Sequence, residues 1–139
     1  MKQRLMLGTA LFLLVALAGA AAAKKKADRA ASAPYVHVVI FHMKKDAPSD
    51  AVEKVIADCH RMLAKIQSVR GVKAGRPAKQ GTPELARKDY DLALLVLVED
   101  YAGLKAYLED PLHLKFVDTY GKWFDMEKLQ VFDFEDQKK

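Results

Sequence analysis

The strongest constraint on the fold of this 139-residue chain is an unbroken apolar run near its middle. Positions 92–98 read Leu-Ala-Leu-Leu-Val-Leu-Val. Side chains alternate between the two faces of a strand, so a run without polar positions is buried on both faces. Positions 35–43 have the same character and are rich in β-branched and aromatic residues. The sequence therefore predicts two strands that need apolar cover on both sides.

Weaker patterns predict the elements around these two strands. Positions 48–67 carry apolar residues at spacings of three and four, which predicts an amphipathic helix. We expect Asp46 or Ser49 to cap its amino end. A more polar strand is predicted at 72–79 and a closing strand at 129–134.

A break in a second helical region is expected to bring a tyrosine and a histidine together. The helical pattern over about 101–122 is interrupted by Pro111, which lacks a backbone N–H and moves Asp110 away from helical geometry. Tyr107 precedes the break and His113 follows it. We expect their side chains to meet at this junction.

The order strand, helix, strand, strand, helix, strand is the ferredoxin-like βαββαβ arrangement. It is an α+β fold in which both helices cover one face of an antiparallel sheet. The apolar second face would form a patch larger than soluble monomers usually expose. A two-fold homodimer in which the sheets face each other is the simplest way to cover it. The sequence therefore predicts a homodimer through the sheet face.

The positive charge of the chain lies outside this predicted domain. Of 23 basic and 18 acidic residues, the first 34 positions hold six basic residues and one acid, which leaves 17 of each sign in the rest. A domain that binds nucleic acid needs a basic stripe on its folded surface. We therefore expect no nucleic-acid partner.

The amino terminus has the pattern of an export signal. Lys2 and Arg4 precede an apolar run at 5–17, and small residues up to Ala23 suit cleavage. This predicts a signal peptide at 1–23 and an extracytoplasmic location, periplasmic or secreted. If the alanines are counted, the run approaches the ~20 residues of a membrane span. An uncleaved N-terminal membrane anchor is therefore the alternative, and we expect no other contact with a membrane.

Two further segments flank the domain. Residues 24–34 are basic, contain no large apolar residue and end in a proline, which predicts a flexible linker. Residues 136–139 form a short charged tail. The domain itself is expected to span 35–135.

The cysteine and histidine content argues against several kinds of site. Cys59 is the only cysteine, so no intrachain disulfide can form, and its helical spacing predicts a small buried hydrophobe, with a reactive thiol as the alternative. His37, His42, His60 and His113 lack the spacing of metal ligands. No Ser-His-Asp, phosphate-loop or dinucleotide motif is present. We therefore expect neither a metal nor another cofactor.

Four motifs together resemble the stress-responsive A/B barrel (Dabb) family. They are His37-Val-Val-Ile-Phe41, Tyr90-Asp-Leu-Ala-Leu94, the segment from Tyr107 to Val117, and Val131-Phe-Asp-Phe134. The resemblance spans about 35–135 and implies a dimeric α+β barrel. It does not imply one activity, because a fold alone does not fix function.

A polyketide-cyclase branch of that family is similar at three polar positions. The resemblance implies that His113 is a general base which removes a proton from a carbon between carbonyls, and that Tyr107 hydrogen-bonds the developing enolate. His37 would hold a second polar group. An apolar pocket between helices and sheet would be lined by Val39, Phe41, Val55, Ile56, Cys59, Leu94, Phe116 and Val131.

Two functions therefore stay open. The first is a secreted dimer that binds a small apolar or aromatic molecule, or persists under stress, without catalysis. In that case His113 caps the broken helix or bonds a carbonyl, and Tyr107 packs with its hydroxyl at the rim. The second is a small cofactor-free enzyme of polyketide-cyclase type with His113 as base.

Overall fold

The structure is a computed structural model that describes residues 24–25, 28, 32–81 and 83–137. The chain divides into two units, 1–32 and 33–139. The predicted signal peptide, five of the eleven residues of the predicted linker and the last two residues of the tail lie outside the described residues. No helix in the described part is long and apolar enough to cross a bilayer.

The described residues of the second unit form four strands and three helices. In chain order they are β1 (Tyr35–Phe41), α1 (Ala51–Arg61), β2 (Val69–Gly75), β3 (Leu92–Val98), α2 (Tyr101–Glu109), α3 (Pro111–Tyr120) and β4 (Gln130–Glu135). Short 3-10 turns at Leu63–Lys65 and Gly121–Trp123 follow α1 and α3. This order confirms the predicted strand and helix sequence.

The strands form one antiparallel sheet in the order β2-β3-β1-β4. The two apolar runs are therefore the central strands, as their patterns predicted. Val39 of β1 lies opposite Leu94 of β3 and Val131 of β4. The α+β ferredoxin-like fold class is confirmed.

The inner face of the sheet packs against the helices to form the core. The even positions of β3 from Leu92 to Val98 are at most 2% exposed. Val55 and Cys59 of α1 are fully buried in the same cluster. Burying each Val or Leu side chain stabilises the fold by about 1.5–3 kcal/mol, so this cluster holds α1 on the sheet.

The outer face of the sheet, away from that cluster, is also apolar. Val38 and Leu95 are half-buried neighbours in the central strands. Phe132 and Phe134 of β4 lie opposite Val38 and Val36 and are each 53% exposed. This confirms that the sheet has a second apolar face.

Several boundaries differ from the sequence prediction, among them the end of the first helix, which is Arg61 and not residue 67. The second strand lies at Val69–Gly75 and not at 72–79, because Val69 is buried and pairs with Val98. Helix α1 begins only at Ala51, since Pro48 forms a turn in which its carbonyl accepts from the Ala51 N–H at 2.9 Å. The N-cap residue is Asp50, without a side-chain hydrogen bond, so the prediction of Asp46 or Ser49 as cap is wrong.

The break in the second helical region is where the sequence placed it. Asp110 is extended (φ −66°, ψ 136°) and its carboxylate accepts from the Leu112 N–H at 2.8 Å. Pro111 is the first residue of α3. The proline thus ends one helix, and the aspartate starts the next.

Candidate functional site

Tyr107 lies between two imidazoles on the inner side of the sheet. Its ring centroid is 4.6 Å from that of His113 and 5.9 Å from that of His37. Strand β1 provides His37, helix α2 provides Tyr107 and helix α3 provides His113. The expected meeting of Tyr107 with His113 across the break is confirmed.

The backbone fixes the tautomer of His113. Its Nδ1 lies 3.0 Å from the carbonyl oxygen of Leu108, at the end of the preceding helix. A carbonyl only accepts, so Nδ1 carries the proton and donates it. In the neutral ring Nε2 therefore keeps a lone pair, which can accept a proton or a hydrogen bond.

The surroundings of His113 favour that neutral form. Burial is the main cause that lowers the pKa of the imidazole below its ordinary value of 6.5, and the nearby His37 acts in the same direction. The Leu108 carbonyl opposes this shift without reversing it. His113 is therefore uncharged at neutral pH, as a general base must be.

The side chain of Tyr107 is buried up to its hydroxyl, which has no hydrogen-bond partner among the described residues. The residue is 1% exposed, and burial raises the pKa of its phenol, which stays protonated. Within the described part of the chain the hydroxyl makes no hydrogen bond. Among the described residues the enclosed unpaired side-chain atom is Ser68 Oγ, so the Tyr107 oxygen keeps some access and can donate to a bound molecule.

Sequence reasoning missed Asp133, the partner of His37. Its Oδ1 lies 2.7 Å from His37 Nδ1, which donates to it. The two residues are directly opposite in the β1–β4 register. An acid between Phe132 and Phe134 in an apolar strand was the available signal, since alternation places it on the face of His37.

The residues expected to line an apolar pocket lie mostly in the core. Val39, Phe41, Val55, Cys59, Leu94 and Phe116 are at most 6% exposed and belong to one packed cluster. Ile56 is half-buried at the edge of this cluster. Val131, on the edge strand, is 49% exposed. A ligand among these side chains stays a prediction.

Comparison with protein families assigns the domain. The pattern of the stress-responsive A/B barrel domain matches residues 36–136, most of the chain. The chain belongs to this family. No curated protein matches the sequence at a significant level.

Solved structures share the fold of this Dabb domain. A dimeric ferredoxin-like protein of unknown function from Thermobifida fusca is 21% identical, with 73% of this chain and 89% of that one covered and a TM-score of 0.61. A Dabb protein from Mesorhizobium loti is 23% identical, with 75% and 97% covered and a TM-score of 0.59. A hydroxynitrile lyase from Passiflora edulis is 16% identical, with 77% and 97% covered and a TM-score of 0.60.

A second polar cluster of the Dabb domain links two helices. Tyr120 of α3 donates to Asp58 Oδ2 of α1 at 2.6 Å, and Arg61 donates to both oxygens of that carboxylate at 2.7 and 2.8 Å. The bonds from Arg61, more than that from Tyr120, lower the pKa of Asp58 although it is buried. This cluster was not predicted, and its full pairing indicates a structural role.

Other features of the Dabb domain carry no site chemistry. Cys59 is fully buried, and that burial raises its pKa to about 12, so it behaves as the predicted small hydrophobe. Among the described residues no group of three or more His, Cys, Asp or Glu side chains is arranged to hold a metal ion. Three cavities of about 370, 240 and 340 Å³ lie near β2 and β3, beside Tyr90 and beside Ser68, and none of these three is lined by Tyr107 or His113.

Proposed function

We propose that this Dabb protein is an extracytoplasmic homodimer that binds a small apolar or aromatic molecule against Tyr107. The observation that carries the proposal is the unpaired hydroxyl of Tyr107, a buried residue whose ring lies 4.6 and 5.9 Å from two imidazoles. A bound oxygen atom that accepts from this hydroxyl would give it the partner that it lacks among the described residues.

The surroundings of Tyr107 support the chemical class of the ligand. Small-molecule sites are mostly apolar and carry a few placed polar groups. Here Phe116 and Val39 belong to the apolar surroundings, and the polar groups are one phenol and two imidazoles. A flat molecule with one or two carbonyl or hydroxyl oxygens fits this combination.

The second apolar face of the sheet supports the homodimer. A second copy that packs on it would bury the half-exposed Phe132 and Phe134 together with Val38 and Leu95. A surface of this kind on a soluble domain marks an interaction site. The similarity to a Thermobifida fusca protein described as dimeric agrees with this arrangement.

The domain organisation and location remain those expected from the sequence. We propose that residues 1–23 are removed on export, that residues 24–34 form a linker between the cleavage site and the domain, and that residues 136–139 form a charged tail. The division of the chain between residues 32 and 33 supports a domain that starts near 35. An uncleaved anchor at 1–23 is the alternative.

A titration with acetophenone tests the ligand site. This probe is a small aromatic ketone, and its carbonyl can accept from Tyr107. We expect it to shift the imidazole NMR signals of His37 and His113 in protein labelled with ¹⁵N at histidine. Tyr107→Phe removes the donor and should weaken binding by about 3- to 10-fold, the value of one neutral hydrogen bond.

His60→Ala is the matched control, since His60 is an exposed histidine on α1. It should leave the affinity unchanged. Equal affinity of Tyr107→Phe and wild type, or shifts confined to His42 and His60, would contradict the proposed site.

The His113 tautomer favours a second candidate, a cofactor-free enzyme. Nε2 of the neutral ring would take a proton from a carbon next to a carbonyl, Tyr107 would donate to the enolate oxygen, and the proton would return from His113. In D₂O this step exchanges the methyl hydrogens of acetophenone for deuterium. Exchange by wild type and by His60→Ala, but not by His113→Ala, would support the enzyme, and equal exchange by all three would exclude this role.

A further inference from the structure

Strand β4 carries residues of both the ligand site and the proposed dimer face. Successive residues of a strand point to opposite faces of the sheet. Asp133 lies opposite His37 and bonds it at 2.7 Å on the inner face. Its two sequence neighbours, Phe132 and Phe134, lie opposite Val38 and Val36 on the outer face.

In a single copy, β4 pairs on one side only and has no buried residue. It is an edge strand that pairs with β1 on one side only. All six of its residues are exposed, and the Asp133 side chain is 37% exposed. Edge strands with few buried apolar contacts open at low free-energy cost. About half of the surface of Phe132 and of Phe134 stays exposed to water, so a second copy that covers these rings would hold the strand more firmly.

We propose that Asp133 is a positioning residue for His37 and that a second copy of the chain, packed on Phe132 and Phe134, keeps it there. The proposal rests on the dimer proposed above. The carboxylate fixes the proton on Nδ1 of His37 and so leaves Nε2 as the acceptor of a ring that lies beside Tyr107. Without Asp133, no carboxylate holds the proton on Nδ1, and the ring can change tautomer.

The ligand site and the dimer interface are thereby coupled through one strand. If the dimer orders β4, a molecule that binds at His37 and Tyr107 must in turn favour the dimer, because coupling between two binding events is reciprocal. No movement of the core is needed. Asp133 and its two phenylalanine neighbours are adjacent in the chain, so ordering one orders the others.

The test separates the dimer from β4. Leu95→Glu places a charge on the outer face of β3, which is not adjacent to β4 in the sheet, and should dissociate the dimer. In that variant we expect the amides of β4 to exchange with D₂O on the order of tenfold faster or more, while those of β3 stay protected. The ¹⁵N chemical shift of His37 Nδ1 should become the same as in the Asp133→Ala variant, in which the carboxylate is removed.

Two controls make the result specific. Leu114→Glu introduces the same charge on an exposed leucine of α3. It should leave the mass of the dimer, the exchange rates of the β4 amides and the His37 chemical shift as in wild type. Asp133→Glu keeps a carboxylate. Its His37 chemical shift should lie closer to the wild-type value than that of Asp133→Ala. Dilution of the wild-type protein until it dissociates allows β4 exchange and the His37 chemical shift to be compared between dimer and monomer without a substitution.

The outcomes distinguish this inference from the proposed function. A dissociated Leu95→Glu variant that keeps slow β4 exchange and the wild-type His37 signal overturns the coupling, while the dimer and the ligand site stand. A wild-type protein that is monomeric at all concentrations and has an ordered β4 overturns both the dimer and the coupling. Loss of β4 protection and of the His37 signal together with the dimer supports the inference.

Discussion

At the level of single residues, the environment decides what the side chains around Tyr107 can do. A histidine on a surface helix is charged about half the time near its ordinary pKa. Burial and one backbone carbonyl turn His113 into a neutral ring with a defined free nitrogen. Burial also keeps Tyr107 a phenol, so the pair offers one acceptor and one donor.

The lowered pKa of His113 predicts a pH dependence of stability. Above the ordinary pKa of 6.5 the ring is neutral in both the folded and the unfolded chain, and its contribution is complete. As the pH falls below that value, the unfolded chain binds a proton before the folded one does, so the free energy of unfolding decreases until the lower folded pKa is passed. Urea unfolding of wild type between pH 7.5 and 5 should show this loss.

His113→Gln lacks the titrating group and should show a smaller loss over the same pH range. The other histidines are common to both proteins, so the difference between the two curves isolates His113. Parallel curves, or a wild type that gains stability relative to the variant on acidification, would contradict the assigned direction of the shift.

At the level of elements, one aspartate positions the helix that carries the histidine. The carboxylate of Asp110 accepts from the Leu112 N–H, and Pro111 supplies the first helical residue. This cap starts α3 at a fixed residue and so fixes where His113 lies relative to Tyr107. Asp58 and Tyr120 then tie the far end of α3 to α1.

Removal of that cap should weaken both the fold and the site. Asp110→Ala leaves the first amide groups of α3 without an acceptor and should lower the free energy of unfolding by about 0.5–2 kcal/mol. It should also reduce the affinity for acetophenone, because the first turn of α3 carries His113. Denaturant unfolding and the histidine NMR titration measure the two effects.

Asp118→Ala, an exposed acid later in the same helix, is the control and should change neither quantity. A stable Asp110→Ala protein with unchanged affinity would show that the cap does not position His113.

At the level of the whole molecule, one sheet separates two apolar surfaces. The helices cover the inner surface and form the core around Tyr107 and Cys59. The outer surface is left for another partner, which we propose is a second copy. Equal numbers of acidic and basic residues in positions 35–139 leave this domain without a net charge that would oppose self-association.

The sequence predicted the parts of the molecule that depend on local pattern. The apolar runs identified β1 and β3, and Pro111 placed the break that brings Tyr107 to His113. Strand β2 was misplaced by about three residues because its pattern is weak, and its register depends on pairing between Val69 and Val98. The bonds of His37 to Asp133 and of Tyr120 to Asp58 join residues far apart in the chain, so only the folded structure identifies them.

Native mass spectrometry of the protein, gently purified from an extracytoplasmic fraction, tests whether it is a dimer that holds a small molecule at Tyr107. One spectrum reports the oligomeric state, the removal of residues 1–23 and any bound molecule. We expect a dimer of the 24–139 form that carries a small molecule at a fixed ratio to protein, and a lower occupancy by that molecule in Tyr107→Phe. A monomer, or a dimer in which wild type and Tyr107→Phe are equally empty, would contradict it.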